Sequence, residues 1–254
     1  MLAGVADLHA VVTGGGRGIG AAIAATLKKH DARVTILGRD ITALSAVVAA
    51  GAADAYFAVD ITDEAVLQGC LAKVMVDIGP VDILVNNAGA AATSPFLKSS
   101  NADFRAMLEV NLLGAVTASR ALLPGMIARK FGRIINIAST AGLKGYPYVS
   151  AYVTAKHALM GFTRALASET AQKGITVNAV CPGFTDTDMV ARSIDTIVQK
   201  TGRTPEAARA ELTRGNPQGR LVTPSEVAET VYFLARRESA AVTGAALPVA
   251  GGEI

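Results

Sequence analysis

The chain has 254 residues, 51% of them hydrophobic, with 25 glycines, no tryptophan and a formal net charge of +3. A chain of that length buries roughly three quarters of the surface it exposes when unfolded, so one large α/β domain over 1–254 needs neither disulfide nor metal. The weak, dispersed charge argues against a nucleic-acid partner, and no apolar run reaches the ~20 residues of a spanning helix, so no membrane partner is expected.

Short apolar runs alternate with amphipathic stretches throughout. Strands are predicted at 9–13, 33–37, 55–59, 82–86, 132–137, 175–180 and 245–249, and helices at about 18–29, 41–50, 63–78, 101–129, 151–173 and 224–236. That alternation predicts right-handed βαβ units and a doubly wound (Rossmann) parallel sheet of about seven strands, with helices on both faces. Thr223-Pro224-Ser225-Glu226 offers an N-cap, a proline at N1 and a returning glutamate at N3. Residues 184–217 break the rhythm: they are charged, helical in pieces and too long for a plain connection. They follow a strand's carboxyl end, where open α/β sheets bind ligands, so they are read as a substrate lid.

Cys70 and Cys181 fit no metal-ligand spacing and read as small hydrophobes in a reduced compartment. The opening MLAGVADLHAVVTGGG lacks the basic stretch of a secretion signal, which makes the cytoplasm the expected location.

The first strand runs into Thr13-Gly14-Gly15-Gly16-Arg17-Gly18-Ile19-Gly20, and a helix pattern follows. Glycines there allow a sharp turn and let backbone N–H groups approach a pyrophosphate at the helix N-terminus. An NAD site usually carries an acid at the end of the second strand; this chain has Gly38-Arg39. Arg39 with Arg17 reads as a cationic clamp for the 2′-phosphate of NADP(H), against two surface arginines or an inward Asp40.

Tyr152-Val153-Thr154-Ala155-Lys156 opens a helical segment, with the ammonium one turn from the phenol. A nearby cation lowers a phenol's pKa from ~10, which suits a residue that exchanges a proton with a carbonyl or alcohol oxygen. Ser139 ends a strand thirteen residues earlier, placed to bond the substrate oxygen or merely to cap a turn. Tyr146, Tyr148, Thr140 and Ser150 are rivals less well placed. His9, His30 and His157 form no metal or triad pattern, no G-x-S-x-G elbow occurs, and Asp186 and Asp188 read as loop caps.

Together these motifs resemble the short-chain dehydrogenase/reductase family over residues 8 to 252. They are TGGGRGIG (13–20), Asp60-Ile61, Asn86-Asn87-Ala88-Gly89, Asn111, Ser139, Y-x-x-x-K (152–156) and Pro182-Gly183 with Thr187. The resemblance implies that Asn111, Ser139, Tyr152 and Lys156 form a catalytic tetrad. It places Asp60 and Ile61 at the adenine, and Asn87, Ala88 and Gly89 on the cofactor floor. Pro182, Gly183, Thr185 and Thr187 would meet the carboxamide, and Lys156 the nicotinamide ribose beside Tyr152. It also implies a homotetramer. Ala250 departs from the aspartate many relatives carry before the last glycine pair.

Within the family the chain resembles bacterial 3-oxoacyl reductases and aromatic-polyketide ketoreductases, most strongly over 132–189. The expected substrate is therefore a 3-oxoacyl thioester on coenzyme A or acyl carrier protein. Lys130 and Lys173 stand where those reductases dock the carrier, and Arg192, Lys200, Arg203, Arg209 and Arg214 could attract its phosphates. A free small ketone or secondary alcohol is the alternative, and a cofactor-binding regulatory protein without turnover the remote one.

Overall fold

The computed structural model describes residues 4–254. Its strands are β1 (His9–Thr13), β2 (Arg33–Gly38), β3 (Ala55–Ala58), β4 (Ile83–Asn86), β5 (Gly132–Ile137), β6 (Ile175–Pro182) and β7 (Ala246–Val249). They form one sheet of order β3-β2-β1-β4-β5-β6-β7, and every neighbouring pair is parallel. The expected doubly wound sheet is therefore present, with chain reversal between β1 and β4.

The helices are α1 (Gly18–Lys29), α2 (Ile41–Ala49), α3 (Glu64–Asp77), α4 (Asn101–Leu108), α5 (Gly114–Ala128), α6 (Ser150–Thr170), α7 (Asp188–Thr201), α8 (Pro205–Thr213) and α9 (Pro224–Ala235). Side chains of a strand point alternately to its two faces, and both faces here are covered. Ala10, Val12, Ile83 and Val85 pack with Ile23 and Leu27 of α1 and Val227 and Val231 of α9. Their neighbours Val11 and Leu84 turn the other way, onto Leu67 and Leu71 of α3 and Leu122 and Met126 of α5. This two-sided burial is why the strands read as continuous apolar runs. Pro248, which cannot donate to a ladder, sits in β7 at the sheet edge.

Two expectations need correction. The helix predicted over 101–129 is interrupted by a π-helical turn at Glu109–Leu113. The side-chain amide of Asn111 donates to the Met107 carbonyl one turn back, at 3.0 Å, and so competes with the helix ladder. The span Asn101–Ala128 is also apolar and long enough to cross a bilayer, by length and composition alone. Its apolar window is 44% buried, and Ala118, Leu122 and Met126 of α5 lie in the core beneath the sheet.

The 184–217 excursion is helical in pieces, as α7 and α8. Gly202, at φ +68°, ends α7, and Thr204 with Pro205 starts α8. Its two roots meet: Thr185 bridges Val222, Asp186 N–H donates to the Val222 carbonyl at 2.8 Å, and Val222 N–H to the Phe184 carbonyl at 2.9 Å. The capping box expected at Thr223 and Glu226 is formed, starting α9 directly after that junction.

Leu122 is 1% exposed and lies in the layer beneath the sheet. Leu122→Ala is expected to cost about 2–5 kcal/mol in urea unfolding. A loss under about 1 kcal/mol would contradict this packing.

Candidate active site

The carboxyl ends of β1, β4, β5 and β6 converge on one edge of the sheet. At the end of β1, Gly14 and Gly18 adopt φ +65° and +53°, conformations that L side chains rarely take. Gly15 and Gly20 are required by close approach instead. A Cβ on Gly15 would stand 2.5 Å from Ile36 Cγ2, and one on Gly20 2.2 Å from the Gly14 carbonyl. Helix α1 begins behind this turn, and its N-cap Arg17 makes no side-chain cap bond. The first-turn N–H groups thus face the glycines without a side-chain acceptor, which fits a bound phosphate.

A joint that sequence reasoning missed fixes the turn to the next strand. Thr13 Oγ1 accepts from the Asn87 and Ala88 amides, each at 3.0 Å. The Asn87 side chain donates to the Thr13 and Gly14 carbonyls at 2.9 and 3.1 Å. The threonine before the glycines was the available signal, since a hydroxyl there serves two amides at once.

Arg17 and Arg39 do not stand free. Arg17 pairs with Asp40, whose other oxygen caps α2 by accepting from Ala43 N–H at 3.1 Å. Arg39, 79% exposed, lies 3.5 Å from Asp60. Asp60 is held by Thr62, whose amide and hydroxyl donate to it at 3.0 and 2.8 Å, and these bonds with Arg39 push its pKa down. Asp40 is thus turned to the α2 cap and Arg17. Ile61 is buried under Gly114, where a Cβ would come within 2.7 Å of Ile61 Cδ1.

Gly89, after β4, brings two distant residues together. A Cβ there would stand 2.8 Å from Asn111 Oδ1 and 3.5 Å from Lys156 Nζ. Asn111 is 3% exposed and donates to the Ala90 carbonyl at 2.9 Å, while its oxygen accepts from Ala90 N–H at 3.3 Å. Lys156 is 4% exposed, and its ammonium donates to the Ile137 carbonyl at the end of β5 at 2.9 Å. The ammonium lies 5.7 Å from the centre of the Tyr152 ring. Ser139 follows β5, bonds toward the Tyr152 phenol, and also caps a short turn by accepting from Ala141 N–H at 3.1 Å. The turn-capping reading of Ser139 is thus present in the structure.

The electrostatics differ from the expectation that lysine lowers the phenol's pKa. Burial raises Tyr152, with the Ser139 hydroxyl pulling the other way. Burial also lowers Lys156 to about 8. The lysine is itself desolvated, which disfavours its protonated form. The rival Tyr146 is committed elsewhere: its phenol donates to Glu253 at 2.5 Å and bonds Thr140 at 2.7 Å, and burial with that carboxylate pushes its pKa up. Tyr148, at φ +66° and 63% exposed, points its bulk to solvent.

Beyond β6, Thr185 Oγ1 donates to the Gly183 carbonyl at 3.0 Å and Thr187 Oγ1 to the Thr185 carbonyl at 3.2 Å. A Cβ on Gly18 would stand 3.2 Å from Thr187 Cγ2, so this segment leans over the glycine turn. Ala250 is buried beside Gly183, an apolar contact at the end of β7. Among the described residues no cluster of three His, Cys, Asp or Glu is placed to hold a metal.

The basic residues fall less favourably. Lys130 and Lys173 precede β5 and β6, at the amino ends of those strands, opposite Tyr152. In α7, α8 and their flanks, Arg209 pairs with Asp186, and Arg203 and Arg214 with Glu211.

Residues 8–197 match the short chain dehydrogenase family. The chain is 40% identical to the acetoacetyl-CoA reductase of Shinella zoogloeoides, covering 96% of this chain and 97% of that one. It is 38% identical to the D-beta-hydroxybutyrate dehydrogenase of Cupriavidus necator, covering 96% of each. Its structure is similar to that of a variant actinorhodin polyketide ketoreductase crystallised with NADPH, with a TM-score of 0.93, 37% identity and 97% of each chain covered. The chain therefore belongs to the short-chain dehydrogenase/reductase family and is an NAD(P)-dependent oxidoreductase acting on CH–OH and C=O groups.

Proposed function

We propose that the chain reduces a 3-oxoacyl thioester, carried on coenzyme A or acyl carrier protein, to the 3-hydroxyacyl form with NADPH. The observation that carries the reaction is the meeting of Asn111 and Lys156 at Gly89, beside Tyr152 and Ser139. The cofactor, when bound, supplies the hydride. The glycine turn and the uncapped start of α1 hold its pyrophosphate, and Asn87 to Gly89 with Pro182 to Thr187 border the rest.

The chain's own residues handle the proton. Ser139 aims the substrate carbonyl oxygen, and Tyr152 delivers a proton to that oxygen as negative charge develops there. Lys156, held by the Ile137 carbonyl, keeps a positive charge beneath the phenol and eases the phenolate left behind. Asn111, in the π turn, holds the relay to solvent at the Ala90 side. Arg17 and Arg39 at the end of β2 favour the 2′-phosphate of NADPH, drawing on two guanidinium groups whose present partners are exposed acids.

Support for the thioester is the similarity to an acetoacetyl-CoA reductase and a polyketide ketoreductase. A second reading, a free ketone or secondary alcohol, is favoured by the pairing of Arg203, Arg209 and Arg214 with acids, which leaves less charge for distant phosphates. Comparing kcat/KM for a 3-oxoacyl-CoA and the matched simple 3-oxo ester, at rising salt, decides. A thioester advantage that weakens with salt supports the first reading, and equal rates without salt dependence the second.

Tyr152→Phe is expected to lower kcat by about 10²- to 10⁴-fold while NADPH affinity, measured by fluorescence, stays near that of the unmodified protein. Substantial residual turnover would assign the proton to another group.

NADPH is expected to outperform NADH, and Arg39→Ala to remove about tenfold to a hundredfold of that margin in kcat/KM, since each charge-assisted bond contributes roughly 1.5–3 kcal/mol. Equal use of both cofactors by the unmodified protein would overturn the clamp.

Because the Lys156 ammonium titrates at about 8, reduction needs pH below that value for its full charge. The pH profile of kcat/KM should fall as pH rises through about 8. A profile flat to well above that point would remove the ammonium from the proton path.

A further inference from the structure

The chain's last residues carry a carboxylate back into the substrate side of the site. After β7 the backbone passes through Gly251 and Gly252 at φ +62° and +91°. A Cβ on Gly251 would stand 2.0 Å from Asn216 Oδ1, and one on Gly252 3.3 Å from Pro217 Cγ, so the tail lies tightly on the far root of the 184–217 excursion. Glu253 then turns inward, with its side chain only 6% exposed. Its Oε1 accepts from the Tyr146 phenol at 2.5 Å and lies 3.0 Å from Lys144 Nζ.

Tyr146 links that carboxylate to the reacting groups. Its hydroxyl bonds Thr140, the neighbour of Ser139, and its ring meets Phe184 edge-on at 6.4 Å, just past β6. It is also near enough to Tyr152 for a charge on one phenol to be felt at the other. Glu253 and Lys144 thus stand behind the wall that a substrate's remainder meets when its carbonyl reaches Ser139 and Tyr152.

The two charges do not cancel there. The carboxylate is enclosed, whereas the Lys144 side chain is 39% exposed and screened by water. Of the two charges, the carboxylate is thus the less screened by solvent.

We propose that the Glu253–Lys144 pair is a charge filter, which disfavours substrates with a free carboxylate next to the reacting carbonyl and admits the neutral ester or thioester. The filter rests on the reading of Ser139 and Tyr152 as the groups that meet a 3-oxoacyl carbonyl. Of the activities that similar chains are named for, it would favour in this chain that of an acetoacetyl-CoA reductase over that of a D-beta-hydroxybutyrate dehydrogenase. A neutral acyl group does not meet the Glu253 field, while a 3-oxo acid brings a second negative charge toward a carboxylate that solvent cannot screen.

The test uses the full-length protein with NADPH and two substrates, ethyl acetoacetate and acetoacetate, the latter also assayed as a competitive inhibitor so that slow turnover is still read. Glu253→Gln keeps the shape and leaves Lys144 unpaired; it should raise the acid-to-ester ratio of kcat/KM about 5- to 10-fold. Lys144→Met leaves Glu253 uncompensated and should lower that ratio by a similar factor. Opposite shifts are something a loosened tail alone would not produce. Ratios unchanged in both variants, or moved the same way in both, would overturn the filter. An unmodified protein that reduced neither these compounds nor a 3-oxoacyl-CoA would instead overturn the 3-oxoacyl reading beneath it.

Discussion

The Lys156 ammonium is buried, donates to the Ile137 carbonyl at 2.9 Å and has no carboxylate within ion-pair distance among the described residues. A cation in that position costs several kcal/mol of hydration, and a folded chain keeps it only where other interactions hold the surrounding elements in place. Those elements are the end of β5, the first turns of α6, the backbone at Gly89 and the π turn of Asn111. Each is fixed by something else: β5 by ladders to β4 and β6, Gly89 by the Thr13–Asn87 joint, the π turn by the Asn111 bonds to Met107 and Ala90. The groups of the site are therefore held by contacts within the chain itself, and burial of the lysine there depresses its pKa.

Most of the fold was legible because two-sided burial writes itself into sequence. Residues 132–137 are buried throughout, three isoleucines with Arg133 and Asn136 among them, and the strand has the predicted bounds. Gly18 and Lys29 bound α1 as predicted, since the glycine turn marks the start and lysines fill the last turn. The break at Glu109–Leu113 was not legible, because hydropathy runs smoothly across it. What bends the helix there is one amide side chain taking a backbone acceptor. Likewise Tyr152 and Lys156 were found from spacing, whereas Glu253 was not: its partners Tyr146 and Lys144 lie 107 and 109 residues away, and no local pattern joins them.

The arginine pair shows a different limit. Sequence places Arg17 and Arg39 beside the end of β2 but says nothing of their acids. Asp40 satisfies a helix cap and an ion pair together, and Asp60 is bound by Thr62 before Arg39 reaches it. Exposed pairs of this kind are worth little, typically below ~1 kcal/mol, so a dianionic phosphate can replace the acids at small cost. Under the proposed clamp, specificity would come from two guanidinium groups whose acid partners are held by other bonds, more than from the strength of those pairs.

Two phenols stand close together at this site, and their surroundings give them opposite tasks. Tyr146 donates its hydroxyl hydrogen bond to a carboxylate at 2.5 Å, which holds the phenol neutral and commits its only hydrogen. Tyr152 has no carboxylate beside it; it has Ser139 and a cation one helical turn away. A proton can leave Tyr152 because the charge that remains lies near an ammonium, and cannot usefully leave Tyr146 because the charge would lie against Glu253. If Tyr152 transfers the proton as proposed, the Glu253 carboxylate that engages Tyr146 also separates the tasks of the two phenols.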